Sequence, residues 1–355
     1  MKVLTIPEHC TRTHGAHCTR CQLACPAKAL SFDGAGAPVI DRDACTKCGV
    51  CIGVCDAFSS SSATALRLYD HLRKVAMRGE IVYLTCEENV FPGFEPAKNV
   101  TVLPCLACVP PELWTLLLAQ NVPVCVACDL KYCEDCPRAA QIGELLFTKA
   151  IEIAEAQTGE NVHFDREIPE YVPPVEAVVD DEFDRRAAFD SVKDDAFDII
   201  SGRRRLKQSD TLKEAYRKKE RERMREALNL SEGEYLSDAL EKGRATRVMP
   251  PRRRMLLEAY AAKPDIAENV EVAVSATDHD ACVECLDCVA RCASGARIAT
   301  KEGHLEYDAR YCVGCGACEA ACPRNAIALV EATFADLLPE GPGKPAIEPN
   351  LADYE

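Results

Sequence analysis

The chain has 355 residues, of which 23 are cysteines, and its formal net charge is −15 at pH 7. Thiols in this number, grouped in short runs, exclude a secreted disulfide scaffold and indicate metal centres in a reducing compartment. The acidic balance excludes a nucleic-acid partner. No apolar leader follows Met1 and no run of 18 apolar residues occurs. We therefore expect a cytoplasmic protein without a membrane span, which can still dock on a membrane complex.

Residues 1–63 contain two groups of cysteines that share one register. The second group has the spacing C-x2-C-x2-C-x3-C. Each of its last three cysteines follows one cysteine of the first group, and the separation along the chain is the same in all three pairs. In the first group, Gly15 occupies the position of the first cysteine. A cubane iron–sulfur cluster needs four converging thiolates, and cysteines at every third position can wrap three irons without strain. The two groups are Cys18, Cys21 and Cys25, and then Cys45, Cys48, Cys51 and Cys55.

This tandem spacing resembles that of the bacterial two-cluster ferredoxins. In that family the fourth ligand of each cluster is the last cysteine of the other group. The resemblance implies two [4Fe-4S] sites in residues 1–63. The complete site has the ligands Cys25, Cys45, Cys48 and Cys51. The other site has Cys18, Cys21 and Cys55, and it lacks a thiolate at Gly15.

Cys10 can supply the missing thiolate, because a lengthened loop with the spacing C-x7-C-x2-C-x3-C-P lets it close the cubane. We therefore predict Cys10 as the fourth ligand of the incomplete site. His14 and His17 are alternative ligands. A three-iron cluster held by three cysteines is a further alternative.

Residues 64–157 have a different cysteine pattern and predict a small parallel α/β domain. Buried strands are expected at 80–86, 100–105 and 122–128, with helices after the second and third of them. Each strand has a cysteine at its C-terminal end, and the C-terminal ends of parallel strands meet at one edge of the sheet, where sites form. The cysteines expected at this edge are Cys86, Cys105, Cys128 and Cys133.

The same four cysteines, with Pro104 before Cys105 and Pro111-Glu112 after it, are similar to the motif of the iron–sulfur delta subunit of the hydrogenase that works with heterodisulfide reductase. The resemblance implies that they hold one [2Fe-2S] cluster, and that the domain relays electrons into a complex with an electron-bifurcating flavoprotein. A [4Fe-4S] cluster, zinc and no metal are the alternatives. Cys125 lies inside an apolar strand and is expected to be a core thiol. The cysteines extra to the motif are Cys108, Cys125 and Cys136.

Residues 158–272 contain no cysteine and alternate runs of opposite charge, so they predict a charged helical linker. A helix is expected over 209–229, and Ser231 with Glu234 is a capping box for another. Two interpretations stay open, a solvated linker with short helices and helices that strap the chain to a partner subunit. The tail, residues 333–355, is expected to bind a partner or to be disordered.

Residues 273–332 repeat the tandem spacing without a gap. They align with the N-terminal module at one constant offset, which places Cys312 opposite Cys45 and Asp308 opposite Asp41. The resemblance to two-cluster ferredoxins covers this whole segment and implies two [4Fe-4S] clusters. Structural zinc sites are the alternative, but zinc ribbons separate their C-x2-C pairs by about 15 to 20 residues. One ligand set is Cys282, Cys285, Cys288 and Cys322, and the other is Cys292, Cys312, Cys315 and Cys318.

The predicted fold class is thus two α+β ferredoxin-like cluster modules at the ends of the chain, with a small parallel α/β domain and a charged helical linker between them. No G-x-G-x-x-G follows a strand, and neither a G-x4-G-K-[ST] motif nor a nucleophile–base motif is present, so no nucleotide or substrate site is expected.

We interpret the chain as an electron-transfer subunit without its own substrate site. It would hold four [4Fe-4S] clusters and one [2Fe-2S] cluster, and relay single electrons between redox protein subunits of an oxidoreductase complex in an anaerobic cell. One alternative is an iron–sulfur reductase with an open iron near Gly15 or Cys108. Another is an interaction protein with structural zinc.

Overall fold

The computed structural model describes residues 2–60, 64–171, 247–300 and 302–354. The chain divides into two units, and residues 1–170 and 232–355 make up the first. Of the second unit, the structure describes Tyr171 alone. The helix expected over 209–229 and the capping box at Ser231 therefore lie outside the described residues.

The N-terminal module combines short antiparallel strands with two helices of five residues each. In each cysteine group, with Gly15 counted as a position, the cysteine at the third position lies within the helix and the cysteine at the fourth follows directly after the helix end. Helices this short are not stable alone, so their conformation depends on their surroundings. Strand β1 pairs with β4, and β2 forms a hairpin with β3. The elements are β1 (Val3–Thr5), α1 (Arg20–Ala24), β2 (Leu30–Phe32), β3 (Pro38–Ile40), α2 (Val50–Val54) and β4 (Phe58–Ser60).

The middle region is a four-stranded parallel sheet in the order β6-β5-β7-β8, with helices after β6 and after β7. The three expected strands are present, and the fourth, β8, lies beyond residue 157, where a linker was expected. The elements are α3 (Ala65–Ala76), β5 (Val82–Cys86), β6 (Val100–Leu103), α4 (Pro111–Ala119), β7 (Val124–Ala127), α5 (Lys131–Glu134), α6 (Ala140–Thr158) and β8 (His163–Asp165).

Helix α4 lies at the centre of the main hydrophobic core, with Leu113, Trp114 and Leu116 fully buried. It packs against α6 on one side. On another side it packs against α7 (Pro251–Ala262), which lies in the segment expected to be a linker. Because α7 buries Met255 and Ala259 in this core, the linker prediction is wrong for this stretch. No helix within the described ranges is long and apolar enough to cross a membrane.

The C-terminal module repeats the architecture of the N-terminal one. Strands β9 and β12 pair antiparallel, as do β10 and β11. The two helices and the hairpin strands have the same lengths as their N-terminal counterparts and follow them at the offset of the cysteines, which agrees with a duplication. The elements are β9 (Glu271–Thr277), α8 (Asp287–Arg291), β10 (Arg297–Ala299), β11 (Leu305–Tyr307), α9 (Ala317–Ala321) and β12 (Ile327–Thr333).

The start of the tail is part of the core, contrary to the sequence prediction. Thr333 and Asp336 form a capping box for α10 (Phe334–Leu337). Phe334 is buried against Tyr260 of α7, with ring centroids 5.9 Å apart. Thr333 and Asp336 have the spacing of a capping box in the sequence. The Gly-Pro-rich run that follows them nevertheless led to the prediction of a disordered or partner-binding tail.

The backbones of the N-terminal module and the middle domain come into close contact at Gly53 in α2. A Cβ atom at Gly53 would lie 1.9 Å from the carbonyl oxygen of Ala107. Real Cβ atoms do not tolerate such a distance, so the two backbones touch only because the residue is glycine. This contact fixes α2 against the turn that holds Cys105 and Cys108.

We predict that Gly53→Ala destabilises the protein by about 1–3 kcal/mol or more, because the added methyl group must displace backbone rather than a flexible side chain. The measurement is the urea midpoint at which the visible absorbance of the purified holoprotein is lost. Gly34→Ala is the matched control, since a Cβ at Gly34 meets nothing within 4 Å. Equal midpoints for the two variants would contradict the close contact.

Candidate iron–sulfur sites

Each predicted ligand set of the C-terminal module lines a cavity of its own. One cavity is lined by the first set, and another by the second. The two sets thus surround separate spaces, and each draws its fourth thiol from the other cysteine group. The thiols are Cys282, Cys285, Cys288 and Cys322 around the first cavity, and Cys292, Cys312, Cys315 and Cys318 around the second.

The three intact cysteine groups share one backbone conformation. In each group the second and fourth residues after the first cysteine have positive φ, which turns the loop back so that its thiols face a common space. The first N-terminal group, which lacks a cysteine at Gly15, does not have this pair. The residues concerned are Lys47 and Gly49, Glu284 and Leu286, and Gly314 and Gly316.

The fourth cysteine of every group accepts a backbone hydrogen bond. The amide of Ala29 donates to Cys25 Sγ at 3.3 Å, and that of Ala326 donates to Cys322 Sγ at 3.3 Å. Such bonds stabilise a thiolate and tune the potential of a cluster. The other two pairs are Ala57 to Cys55 at 3.4 Å and Arg297 to Cys292 at 3.5 Å.

The complete N-terminal set is also brought together. Burial raises the pKa of the Cys51 thiol, and the neighbouring thiols of Cys48, Cys45 and Cys25 raise it further. These are the three other predicted ligands. Four buried thiols this close disfavour one another's ionisation, so a bound cation is needed for all to become thiolates.

At the incomplete N-terminal site, the structure places Cys10 beside the three remaining cysteines. Burial raises the pKa of Cys21 to about 12, with further contributions from Cys55, Cys18 and Cys10. The two histidines have other surroundings. The ring of His14 is within hydrogen-bonding distance of the carbonyl of Glu8, at 3.3 Å, and His17 is exposed. Cys10 as the ligand stays a prediction, and the geometry favours it.

The middle domain has a third thiol-lined cavity, at the C-terminal edge of its sheet. The side-chain amide of Asn89 donates a hydrogen bond from Nδ2 to Cys86 Sγ at 3.5 Å. Cys125 is buried within β7 and does not line this cavity. The thiols around it are the four expected ones, Cys86, Cys105, Cys128 and Cys133, together with Cys136.

Cys136, one of the cysteines extra to the motif, also lines this cavity. Its Sγ accepts the backbone amide of Ala139 at 3.5 Å, as the fourth cysteines of the ferredoxin groups accept theirs. The signal was present, because Pro137 follows Cys136 as Pro26 follows Cys25. The motif taken from the resemblance ends at Cys133, so Cys136 was not among the ligands that the resemblance implies.

Cys108 connects the middle cavity to the N-terminal module. Burial raises its pKa to about 12, and the next contributions come from Cys105 and Cys48. Cys105 lines the middle cavity and Cys48 belongs to the complete N-terminal set. The two sites are therefore neighbours, with Cys108 between them.

The donor sets fit iron–sulfur clusters. In the described parts of the chain, no three His, Cys, Asp or Glu side chains converge closely enough to hold a single metal ion. The thiols instead surround cavities, and backbone amides donate to several of their sulfurs. When bound, clusters supply one-electron chemistry, and the chain's residues hold, bury and hydrogen-bond them.

Comparison with known proteins identifies one of these modules. Residues 276–323 match the family described as the 4Fe-4S dicluster domain. The C-terminal segment is therefore a ferredoxin-type domain that binds 4Fe-4S clusters, as the cysteine spacing predicted. No solved structure matches the chain.

Two curated proteins, both named pyruvate synthase subunit PorD, are similar to part of the chain. The protein from Methanothermobacter marburgensis is 42% identical over 50 residues, which is 14% of this chain and 57% of the relative. The protein from Methanocaldococcus jannaschii is 40% identical over 53 residues, which is 15% of this chain and 62% of the relative. The chain thus spans about three fifths of the length of these relatives.

We predict that Cys10→Ala lowers the iron content by about four atoms per chain, or converts one cubane to a three-iron form, because a thiolate is lost from the incomplete site. Iron analysis and EPR of the oxidised protein measure these outcomes. Cys125→Ala, which removes a buried thiol outside the cavities, is the control and should retain all iron. An unchanged EPR spectrum in Cys10→Ala would exclude Cys10 as a ligand.

Proposed function

We propose that the protein is an iron–sulfur electron-transfer subunit, which relays single electrons between partner proteins of a redox complex. The observation that carries this proposal is the pair of cavities in the 4Fe-4S dicluster domain, each lined by one complete set of four thiols. A ligand set drawn from both cysteine groups holds two clusters close together. Clusters placed in this way suit electron transfer rather than substrate binding.

The order of the sites supports a relay that extends beyond this domain. A Cβ at Gly15, next to the incomplete N-terminal site, would lie 3.5 Å from Nη1 of Arg291 in α8. Helix α9 also packs against the turn at residues 11–14. With the Cys48–Cys108–Cys105 connection, the sites form a series from the C-terminal module through the N-terminal module to the middle cavity.

For the N-terminal module we propose two further [4Fe-4S] clusters, with the ligands predicted from the sequence. This gives four cubanes in the chain. The complete N-terminal site uses Cys25, Cys45, Cys48 and Cys51, and the other uses Cys10, Cys18, Cys21 and Cys55.

For the middle cavity we propose one [2Fe-2S] cluster, held by Cys86, Cys105, Cys128 and Cys133 as the resemblance of this domain implies. Cys136 then stands beside the cluster as a fifth thiol. The same resemblance leads us to propose a partner that contains a flavoprotein. The two similar proteins are named as subunits of a pyruvate synthase, and this name agrees with a role as one subunit of an oxidoreductase complex.

We predict that the purified protein contains about sixteen irons in its four cubanes and about two more in the middle cluster, with S = 1/2 signals on reduction. Metal analysis combined with EPR provides the measurement. Zinc in place of iron would contradict the proposal. Catalytic turnover by the isolated chain would favour the reductase alternative.

A second experiment tests the proposed ligands of the middle cavity by comparing Cys133 with Cys136, the fifth thiol. Cys133→Ala should remove about two irons and the two-iron signal, because it removes a proposed ligand. Cys136→Ala should keep both. Mössbauer spectroscopy of the two iron-57-enriched variants distinguishes the iron types. The reverse pattern, with iron lost only from Cys136→Ala, would refute the proposed ligand set.

A further inference from the structure

Arg297 at the start of β10 is a buried cation whose hydrogen bonds are only partly satisfied. Its side chain is 1% exposed. Nη2 donates to the hydroxyls of Ser275 and Thr277, both at 3.0 Å, and the guanidinium lies over the ring of Tyr307 at 4.7 Å. Within the described residues, Nε and Nη1 have no hydrogen-bond partner. A buried guanidinium is costly unless negative charge lies near it.

Negative charge near Arg297 is supplied by the cluster ligands and by Glu348. Arg297 lines the cavity formed by the second C-terminal ligand set. Its strongest charge interactions are with Cys318 of that set and with Cys288 of the first set, ahead of Glu348. The guanidinium therefore lines the second C-terminal site and interacts electrostatically with a ligand of each site.

The corresponding positions after the other three fourth cysteines carry no charge. Arg297 is the fifth residue after Cys292, and the fifth residues after Cys25, Cys55 and Cys322 are Leu30, Ser60 and Ile327. All three are buried. Leu30 is also the counterpart of Arg297 when the two modules are aligned on their cysteines. The fold thus requires a buried side chain here but not a charge, so the arginine needs an explanation beyond packing.

We propose that Arg297 raises the reduction potentials of the two C-terminal clusters. This inference rests on the proposed electron-transfer function. A cluster with four thiolate ligands is negative, and reduction makes it more negative by one electron. A fixed cation in a low-dielectric interior stabilises the reduced form more than the oxidised form. The free Nε–H and Nη1–H groups are available to donate hydrogen bonds to sulfur, which acts in the same direction.

The test is an EPR-monitored redox titration of the full-length holoprotein and four variants. Arg297→Gln and Arg297→Leu remove the charge, and the leucine variant reproduces the N-terminal residue. Arg297→Lys retains the charge. Arg324→Gln is the matched control, because Arg324 also lines a C-terminal cavity but is exposed, where water and salt screen its charge.

We expect the charge-removing variants to lower the equilibrium constant for reduction of two cubane couples at least tenfold, which is about 59 mV for a one-electron couple. The N-terminal couples should stay unchanged, as should all couples in Arg324→Gln. Arg297→Lys should show less than half of the shift.

Three results would overturn the inference: no shift in the charge-removing variants, equal shifts in all four couples, or equal shifts with lysine and glutamine. Loss of iron in both charge-removing variants would assign Arg297 to cluster assembly and also overturn it. A wild-type protein without iron would instead refute the proposed function, so the two failures are distinguishable.

Discussion

Two adjacent arginines at the start of α7 connect all three cysteine-bearing parts of the described unit. Arg252 donates to the carbonyls of Ile52 and Gly53 in the N-terminal module and forms ion pairs with Asp56 at 3.3 Å and Glu112 of the middle domain at 3.6 Å. Arg253 donates to the carbonyl of Cys312 in the C-terminal module. A guanidinium has five donors in a rigid plane, so one side chain can fix several backbones at once. Since electron transfer depends on the spacing of the sites, a helix once expected to be a linker holds the series together.

The loops that carry the cysteines also depend on what they bind. Lys47, Glu284 and Leu286 adopt positive φ, which costs free energy for residues with a Cβ. The modules are too small to compensate for this from a large core. Cluster binding and folding of these modules are therefore coupled.

The sequence was informative wherever the chemistry is local. The cysteines that the spacing groups into each C-terminal ligand set line one cavity together, and their role as ligands stays a prediction. The cysteines expected at the ends of apolar strands lie at the edge of the parallel sheet. The sequence failed where the deciding contact is distant along the chain. Met255 and Ala259 lie on one face of α7, but the preceding run of arginines made the segment look solvated. The side chains of Arg252 and Arg253 are held away from solvent by hydrogen bonds to the first and last modules of the chain. No local sequence pattern indicates such distant partners.

Equal spacing of cysteines does not give the sites equal surroundings. Burial raises the pKa of Cys55 to about 11, but the charge of Arg252 opposes this rise, and Arg297 does the same for Cys288 and Cys318. At the complete N-terminal site, the charges that act on Cys51 are those of other thiols. A buried arginine thus acts on ligands of the incomplete site and of the C-terminal sites. Because a nearby cation in a low-dielectric interior stabilises added negative charge, the chain provides different electrostatic settings for one repeated ligand motif. The spacing of the cysteines determines which cofactor they bind, and the residues around each site give it different electrostatic surroundings.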